Sequence, residues 1–125
     1  MKAGTRAWLE KASHALNAAR RNLTAEDAGN AISRAYYAAF YAATAVLNEV
    51  NLATKSHNGT HKLIYREYID SAKIDSHHNQ AFSRLFQNRQ AADYTFGATF
   101  SPETALDAIE QAEAFTEVIA ALLSP

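Results

Sequence analysis

Apolar residues recur at steps of three and four along almost the whole chain, and this spacing predicts amphipathic α-helices. The predicted helices cover residues 5–21, 24–50, 60–71, 75–94 and 102–123. No segment alternates apolar and polar residues with a period of two, so no β-sheet is expected. Short loops between amphipathic helices favour antiparallel packing. The pattern therefore predicts an all-α fold, an antiparallel bundle of four to five helices.

Three local signals set the predicted helix boundaries. Thr24, followed closely by two acidic residues, is typical of an N-cap with a first-turn charge. Ser101 before Pro102 predicts the start of the last helix, because proline suits the first helical position. Asn58-Gly59 is a turn signal, so the third helix is expected to begin only after it.

The predicted second helix is apolar on most of its circumference. One face has the helical spacing and comprises Ile32, Ala35, Ala39, Ala43, Val46 and Val50. Tyr37, Phe40, Tyr41 and Ala45 lie on other sides of the cylinder and are also apolar. A helix with this pattern is buried on most sides, so we expect it to be the central helix of the bundle.

Arg89 interrupts the apolar stripe of the predicted fourth helix. The stripe contains Phe82, Leu85, Phe86, Ala92 and Phe96. Helical geometry places Arg89 in the middle of it, where an unpaired guanidinium would be very costly. One interpretation is an ion pair with Asp93, one turn later, or a side chain that reaches out to solvent. The other is a phosphate-binding arginine in a cleft or an intersubunit site.

Arg34 presents a similar choice on the second helix. It shares a face with Tyr37, Ala38, Tyr41 and Ala45. Aromatic rings beside an arginine suit nucleobase stacking and phosphate contact. They suit a subunit interface equally well, so the sequence leaves both interpretations open.

Composition and charge narrow the class of protein. The 125 residues suit one domain, residues 1–125, and the lack of cysteine excludes a disulfide framework and thiolate zinc sites. The first residues are charged and amphipathic, without the apolar core of a signal peptide. The most apolar stretch, residues 35–50, is too short to span a bilayer, so we expect a cytoplasmic protein without membrane association.

The charges are unevenly distributed along the chain. All 12 Lys and Arg residues lie between Lys2 and Arg89, whereas residues 93–125 contain six acidic residues and no basic one. A polyanion such as RNA would be repelled by the C-terminal segment and accepted elsewhere. The alternative is that the two parts are only complementary solvated faces.

Three stretches, in their order and spacing, resemble the HEPN superfamily of helical domains associated with nucleic acids. Residues 33–43 are similar to the family's Ala-Tyr-Tyr-Ala-x-Phe-His-Ala-Ala helix, with Tyr41 in place of the histidine. Residues 56–59 are similar to its Ser-His-x-Gly turn, and residues 89–94 match Arg-x-x-Ala-Asp-Tyr. The resemblance extends over essentially the whole chain.

The resemblance implies a four- to five-helix bundle, commonly a homodimer and often encoded beside a minimal nucleotidyltransferase in a toxin–antitoxin pair. Many HEPN proteins are metal-independent endoribonucleases. Their signature is an arginine followed after four to six residues by a histidine, and both subunits contribute it to one cleft. In that cleft the arginine would hold the phosphate, and the histidine would move the proton of the attacking 2′-hydroxyl.

This chain departs from the nuclease signature. The residue five positions after Arg89 is Tyr94, and no histidine follows His78. Asp93 would be a weak base because pairing with arginine favours its ionised form, and tyrosine is normally protonated. The candidate catalytic residues are Arg89, Asp93 and Tyr94, and the candidate nucleotide- or RNA-binding residues are Arg34, Tyr37, His57 and Arg89.

Neither a metal nor a cofactor is expected. His57 and His61 have i, i+4 spacing, but further ligands are lacking and the Asn-Gly turn is expected to break any helix between them.

Three functions remain open. The chain is an RNA- or nucleotide-binding partner of a nucleotidyltransferase with weak or absent nuclease activity, an active endoribonuclease toxin with a modified site, or a non-enzymatic dimeric interaction module.

Overall fold

The computed structural model describes residues 1–95 and 97–124. Their regular elements are α1 (Ala3–Thr24), α2 (Ala28–Glu49), α3 (His57–Ile64), a π-helical turn (Tyr65–Ile69), α4 (His77–Tyr94) and α5 (Pro102–Leu123). The predicted all-α bundle is confirmed. Phe96, which was assigned to the stripe of the fourth helix, lies outside the described residues. In the described part of the chain, no helix is long and apolar enough to cross a membrane.

Helix α2 lies at the centre of the bundle, as its pattern predicted. It contacts α1, α3, α4 and α5. Its fully buried alanines are Ala31, Ala35, Ala38, Ala39, Ala42, Ala43 and Ala45. Because alanine adds only a methyl group, helices can pack closely around α2 on several sides. The assignment of Val50 to the buried face is wrong: α2 ends at Glu49, and Val50 is 50% exposed at the C-cap.

The connection between α1 and α2 differs from the prediction. Thr24 is not an N-cap; it ends α1, and its hydroxyl donates to a carbonyl oxygen of the preceding turn. Glu26 adopts a left-handed φ of 62°, and the N–H of Asp27 donates back to the carbonyl of Asn22 at 2.8 Å. This is a Schellman ending. Asp27 then caps α2 by accepting the N–H of Asn30 at 3.3 Å.

The Asn58-Gly59 pair does not break a helix, so the predicted start of α3 at residue 60 is wrong. Ser56 is the N-cap, and its Oγ accepts the N–H of Gly59 at 2.9 Å. A Cβ at Gly59 would lie 2.9 Å from the Cβ of Thr54, so the close approach of these segments requires glycine. The pair therefore forms the first turn of α3, which begins at His57.

The corrected N-cap of α2 can be tested by mutation. Asp27→Ala should lower the free energy of unfolding by about 1 kcal/mol, because an amide of the first turn loses its side-chain acceptor. Thr24→Ala is the matched control and should have a much smaller effect, since Thr24 caps no helix. Chemical denaturation followed by circular dichroism measures both. Equal losses for the two variants would contradict the assignment of the cap to Asp27.

Candidate functional site: an arginine–tyrosine cluster between α2 and α4

The guanidinium of Arg89 lies between α2 and α4 and is surrounded by polar partners. The residue is only 8% exposed. Its Nε donates to Oδ2 of Asp93 at 3.0 Å, and its Nη2 donates to the hydroxyl oxygens of Tyr37 at 2.7 Å and Tyr94 at 3.3 Å. The ion pair with Asp93, which the sequence allowed, is thus present. The interpretation of Arg89 as a side chain extended into solvent is excluded by its burial.

Some of the hydrogen-bond donors in this cluster have no acceptor among the described residues. The third guanidinium nitrogen of Arg89, Nη1, donates to none of them. The hydroxyl oxygens of Tyr37 and Tyr94 accept from Arg89, so their own O–H hydrogens point elsewhere, and neither donates to another described residue. Converging N–H and O–H donors around one positive charge can bind an anionic oxygen.

A second arginine adds positive charge to the cluster. The Cζ of Arg34 lies 5.0 Å from the ring centroid of Tyr37, and the Cζ of Arg89 lies 5.2 Å from the same centroid. Both guanidinium groups are within range of a cation–π interaction with this ring. Arg34 forms no ion pair within residues 1–95 and 97–124. With Asp93 as the acidic member, the cluster carries a net positive charge.

The surrounding groups keep Arg89 charged. Burial acts to lower the pKa of Arg89, but Tyr37, Tyr94 and the Asp93 carboxylate outweigh burial and hold this pKa above its usual value. Asp93 is itself held in place, because its Oδ2 also accepts from the hydroxyl of Ser33 at 3.3 Å. The guanidinium is therefore both positioned and permanently ionised.

His57 joins the cluster from the first turn of α3. Its Nδ1 lies 2.7 Å from the hydroxyl oxygen of Tyr36, and its ring centroid lies 4.6 Å from that of Phe40. The ring of Tyr36 also has the Cζ of Arg89 5.8 Å from its centroid, so both functional groups contact one ring. Burial and then the charge of Arg89 lower the pKa of His57, which is neutral at pH 7.

His61 lies outside this cluster. Its ring centroid is 4.0 Å from that of Phe82 and 5.6 Å from that of Phe86. Its Nε2 is buried and has no hydrogen-bond partner among the described residues. Burial and then His57 lower the pKa of His61. The two histidines do share one helix, contrary to the predicted break, but the described side chains form no group of three that could hold a metal ion.

The structure brings together all the residues that the sequence singled out: Arg34, Tyr37, His57, Arg89, Asp93 and Tyr94. Sequence reasoning missed Tyr36 and Ser33. Tyr36 is completely buried, and burial raises the pKa of its hydroxyl. The signal for Tyr36 was its place on the buried face of the central helix, since a phenol there needs a hydrogen-bond partner. Ser33 has no comparable signal.

A family model of the HEPN domain matches residues 5–122 of the chain. The chain belongs to the HEPN family. It is 30% identical over 116 residues to a UPF0332 protein of Thermotoga maritima, a match that covers 93% of this chain and 88% of the relative. It is 31% identical over 113 residues to a Methanocaldococcus jannaschii protein named as a candidate toxin, with 90% and 84% of the two chains covered.

A solved structure agrees on the fold. The crystal structure of TT1696 from Thermus thermophilus superposes with a TM-score of 0.79, covering 93% of this chain and 95% of that chain. The sequence identity is 19%, so this likeness concerns the helical arrangement alone.

The histidine burial predicts a pH dependence of stability. The folded-state pKa of His61 lies below that of the unfolded chain, so the unfolded state binds more protons and the free energy of unfolding falls as the pH falls from about 7 to 5. His61→Phe should make this loss smaller. At pH 7 it should leave stability unchanged or raise it by up to about 1 kcal/mol, because an unpartnered buried nitrogen is removed.

Denaturation midpoints across this pH range measure the effect. His14→Phe, which removes an exposed imidazole from α1, serves as the control. If the wild type and His61→Phe lose the same free energy of unfolding between pH 7 and pH 5, protonation of His61 does not destabilise the fold.

Proposed function

We propose that this HEPN protein binds RNA or a nucleotide through the Arg89 cluster, as a component of a toxin–antitoxin-like pair with a nucleotidyltransferase. The observation that carries the proposal is the buried arginine whose Nη1, like the hydroxyls of Tyr37 and Tyr94, has a donor without an acceptor among the described residues, beside the exposed ring of Tyr94. The hydrogen-bond donors of a charged side chain that is buried in a bundle are usually all satisfied. Here, the unsatisfied donors match the oxygens of a phosphate.

The same residues also suit a nucleotide. Tyr94 is 71% exposed, so its ring is free to stack on a base while its hydroxyl remains near Arg89. Arg34 adds a second positive charge beside Tyr37. The similarity to relatives named as candidate toxins supports a toxin-like role for the chain.

The geometry also supports weak or absent nuclease activity. On α4, the position where the nuclease signature has histidine is occupied by Tyr94, whose oxygen accepts a hydrogen bond from Arg89. Oδ2 of Asp93 accepts from both Arg89 and Ser33, so this oxygen holds the arginine in place and only Oδ1 is left to accept a proton. An effective general base needs a free lone pair within reach of the proton that it abstracts.

We propose two kinds of assembly for the chain: a homodimer, and a pair with a nucleotidyltransferase. A second copy of the chain packed beside the arginines would place the exposed ring of Tyr94 in the cleft between the two copies, where a base can still reach it. Light scattering should therefore give the mass of a dimer, and the neighbouring reading frame should encode a minimal nucleotidyltransferase. A monomer in solution, or an unrelated neighbour, would count against the respective assembly.

RNA binding should depend on Arg89. Arg89→Ala is expected to weaken the binding of single-stranded RNA at least tenfold and to reduce the slope of log K against log salt by about 1, because one phosphate contact is lost. Arg21→Ala, which removes an exposed charge from α1, is the control for net charge. Fluorescence anisotropy at several salt concentrations gives both quantities, and circular dichroism checks the helices. Unchanged RNA affinity in Arg89→Ala would refute the proposed role.

The alternative of an active endoribonuclease has one observation in its favour, the neutral imidazole of His57 near Arg89. Incubation of the wild type with RNA in the presence of EDTA distinguishes the two functions. We expect no cleavage above that of a blank reaction. Metal-independent cleavage that disappears in both Arg89→Ala and His57→Ala would establish the nuclease and overturn the proposal of weak or absent activity.

A further inference from the structure

We propose that the groove between α3 and α4 binds an unpaired nucleobase of single-stranded RNA whose phosphate is held by the Arg89 cluster. This inference rests on the proposed RNA-binding function and adds a base-recognition site to it. The groove is a depression of about 280 Å³. Its walls are formed by Asn58, His61, Ser83, Phe86, Gln87 and Gln90.

The lining has the chemistry of a base-binding site. It combines two rings, Phe86 and His61, with side chains that carry amide or hydroxyl groups and no acidic or basic side chain other than the imidazole. Burial lowers the pKa of His61, so this imidazole is neutral at pH 7. A neutral polar lining with ring surfaces suits a flat heterocycle, whereas a phosphate would require positive charge.

The amides of the groove are available to a ligand. The side chains of Asn58, Gln87 and Gln90 are exposed, and none forms a hydrogen bond with the described part of the chain. Each presents a donor and an acceptor side by side, the arrangement that pairs with the edge of a base. His61 also lines the groove, but its unpartnered Nε2 is buried, so this residue offers ring surface to a base and not a hydrogen bond.

The groove lies beside the Arg89 cluster along α4, and the two are linked inside the core by the buried ring of Tyr36. The ring centroid of Phe86 lies 5.5 Å from that of Tyr36, and the Cζ of Arg89 lies 5.8 Å from the same ring of Tyr36. Along α4, Gln87 and Gln90 precede Tyr94 by seven and four residues, so the three share one helical face. A nucleotide whose phosphate contacts Arg89 therefore has its base within reach of the groove.

Charge and size favour a strand of RNA as the occupant. Helices α3 and α4 carry Lys62, Arg84 and Arg89 against one acidic residue, Asp93. Arg84 lies beside Asp107 and Glu110 of α5, so Lys62 and Arg89 are the charges that would attract a polyanion to the groove. The volume is just below the range of about 300–1,000 Å³ that accommodates drug-sized ligands. It suits one planar base.

The test compares strands with and without bases at fixed salt. Fluorescence anisotropy measures the binding of oligo(A), oligo(C), oligo(U) and an abasic strand of equal length to the wild-type protein. The wild type should bind at least one base-containing strand about tenfold more tightly than the abasic strand, because two or three side-chain hydrogen bonds and stacking are added. The triple variant Asn58→Ala, Gln87→Ala, Gln90→Ala should lose most of this preference, because the side-chain hydrogen bonds to the base are removed and only stacking remains.

Controls separate this inference from the proposed function. Asn17→Ala combined with Gln80→Ala removes exposed amides outside the groove and should keep the wild-type preference. Arg89→Ala should weaken binding to abasic and base-containing strands alike. If the triple variant keeps the preference, or the wild type binds abasic and base-containing strands equally, the groove inference is overturned while phosphate binding stands. If the wild type binds no strand at all, the proposed function and this inference both fail.

Discussion

The arrangement of the candidate site depends on the hydrogen bonds of one buried group, the guanidinium of Arg89. A positive charge inside a helical bundle is tolerated only when it is paired with an opposite charge and hydrogen-bonded. Asp93 supplies the opposite charge from the same helix, and Tyr37 supplies an oxygen from α2 at 2.7 Å. The need to satisfy this one side chain therefore ties α4 to the central helix and sets the orientation of the tyrosines around it.

Tyr36 connects the parts of the site. Its buried ring contacts His57 and Phe86, and its hydroxyl forms a hydrogen bond with Nδ1 of His57. His57 reaches this position because Ser56 caps α3 and the helix begins at His57. This arrangement requires a glycine at position 59, which packs closely against Thr54. A short turn of the chain and one phenol thus bring an imidazole close to an arginine that is distant in sequence.

Much of the site could be predicted because its residues violate a local pattern. Arg89 stood out as a charge on an apolar stripe, and its pairing with Asp93 followed from helical spacing. The errors arose where tertiary contacts override local preference. Glu26 takes a left-handed conformation that few residues other than glycine adopt, and this moved the N-cap from Thr24 to Asp27.

The sequence by itself determined the order of the helices, the central position of α2 and the place of Arg89 on an apolar stripe, because helical periodicity is a local property of the chain. Only the tertiary structure decided which donors of Arg89 remain free, that Tyr36 joins His57 to the cluster, and that a polar groove opens between α3 and α4. These features depend on distances between side chains of different helices, and such distances are set by packing, which the order of residues along one helix does not specify.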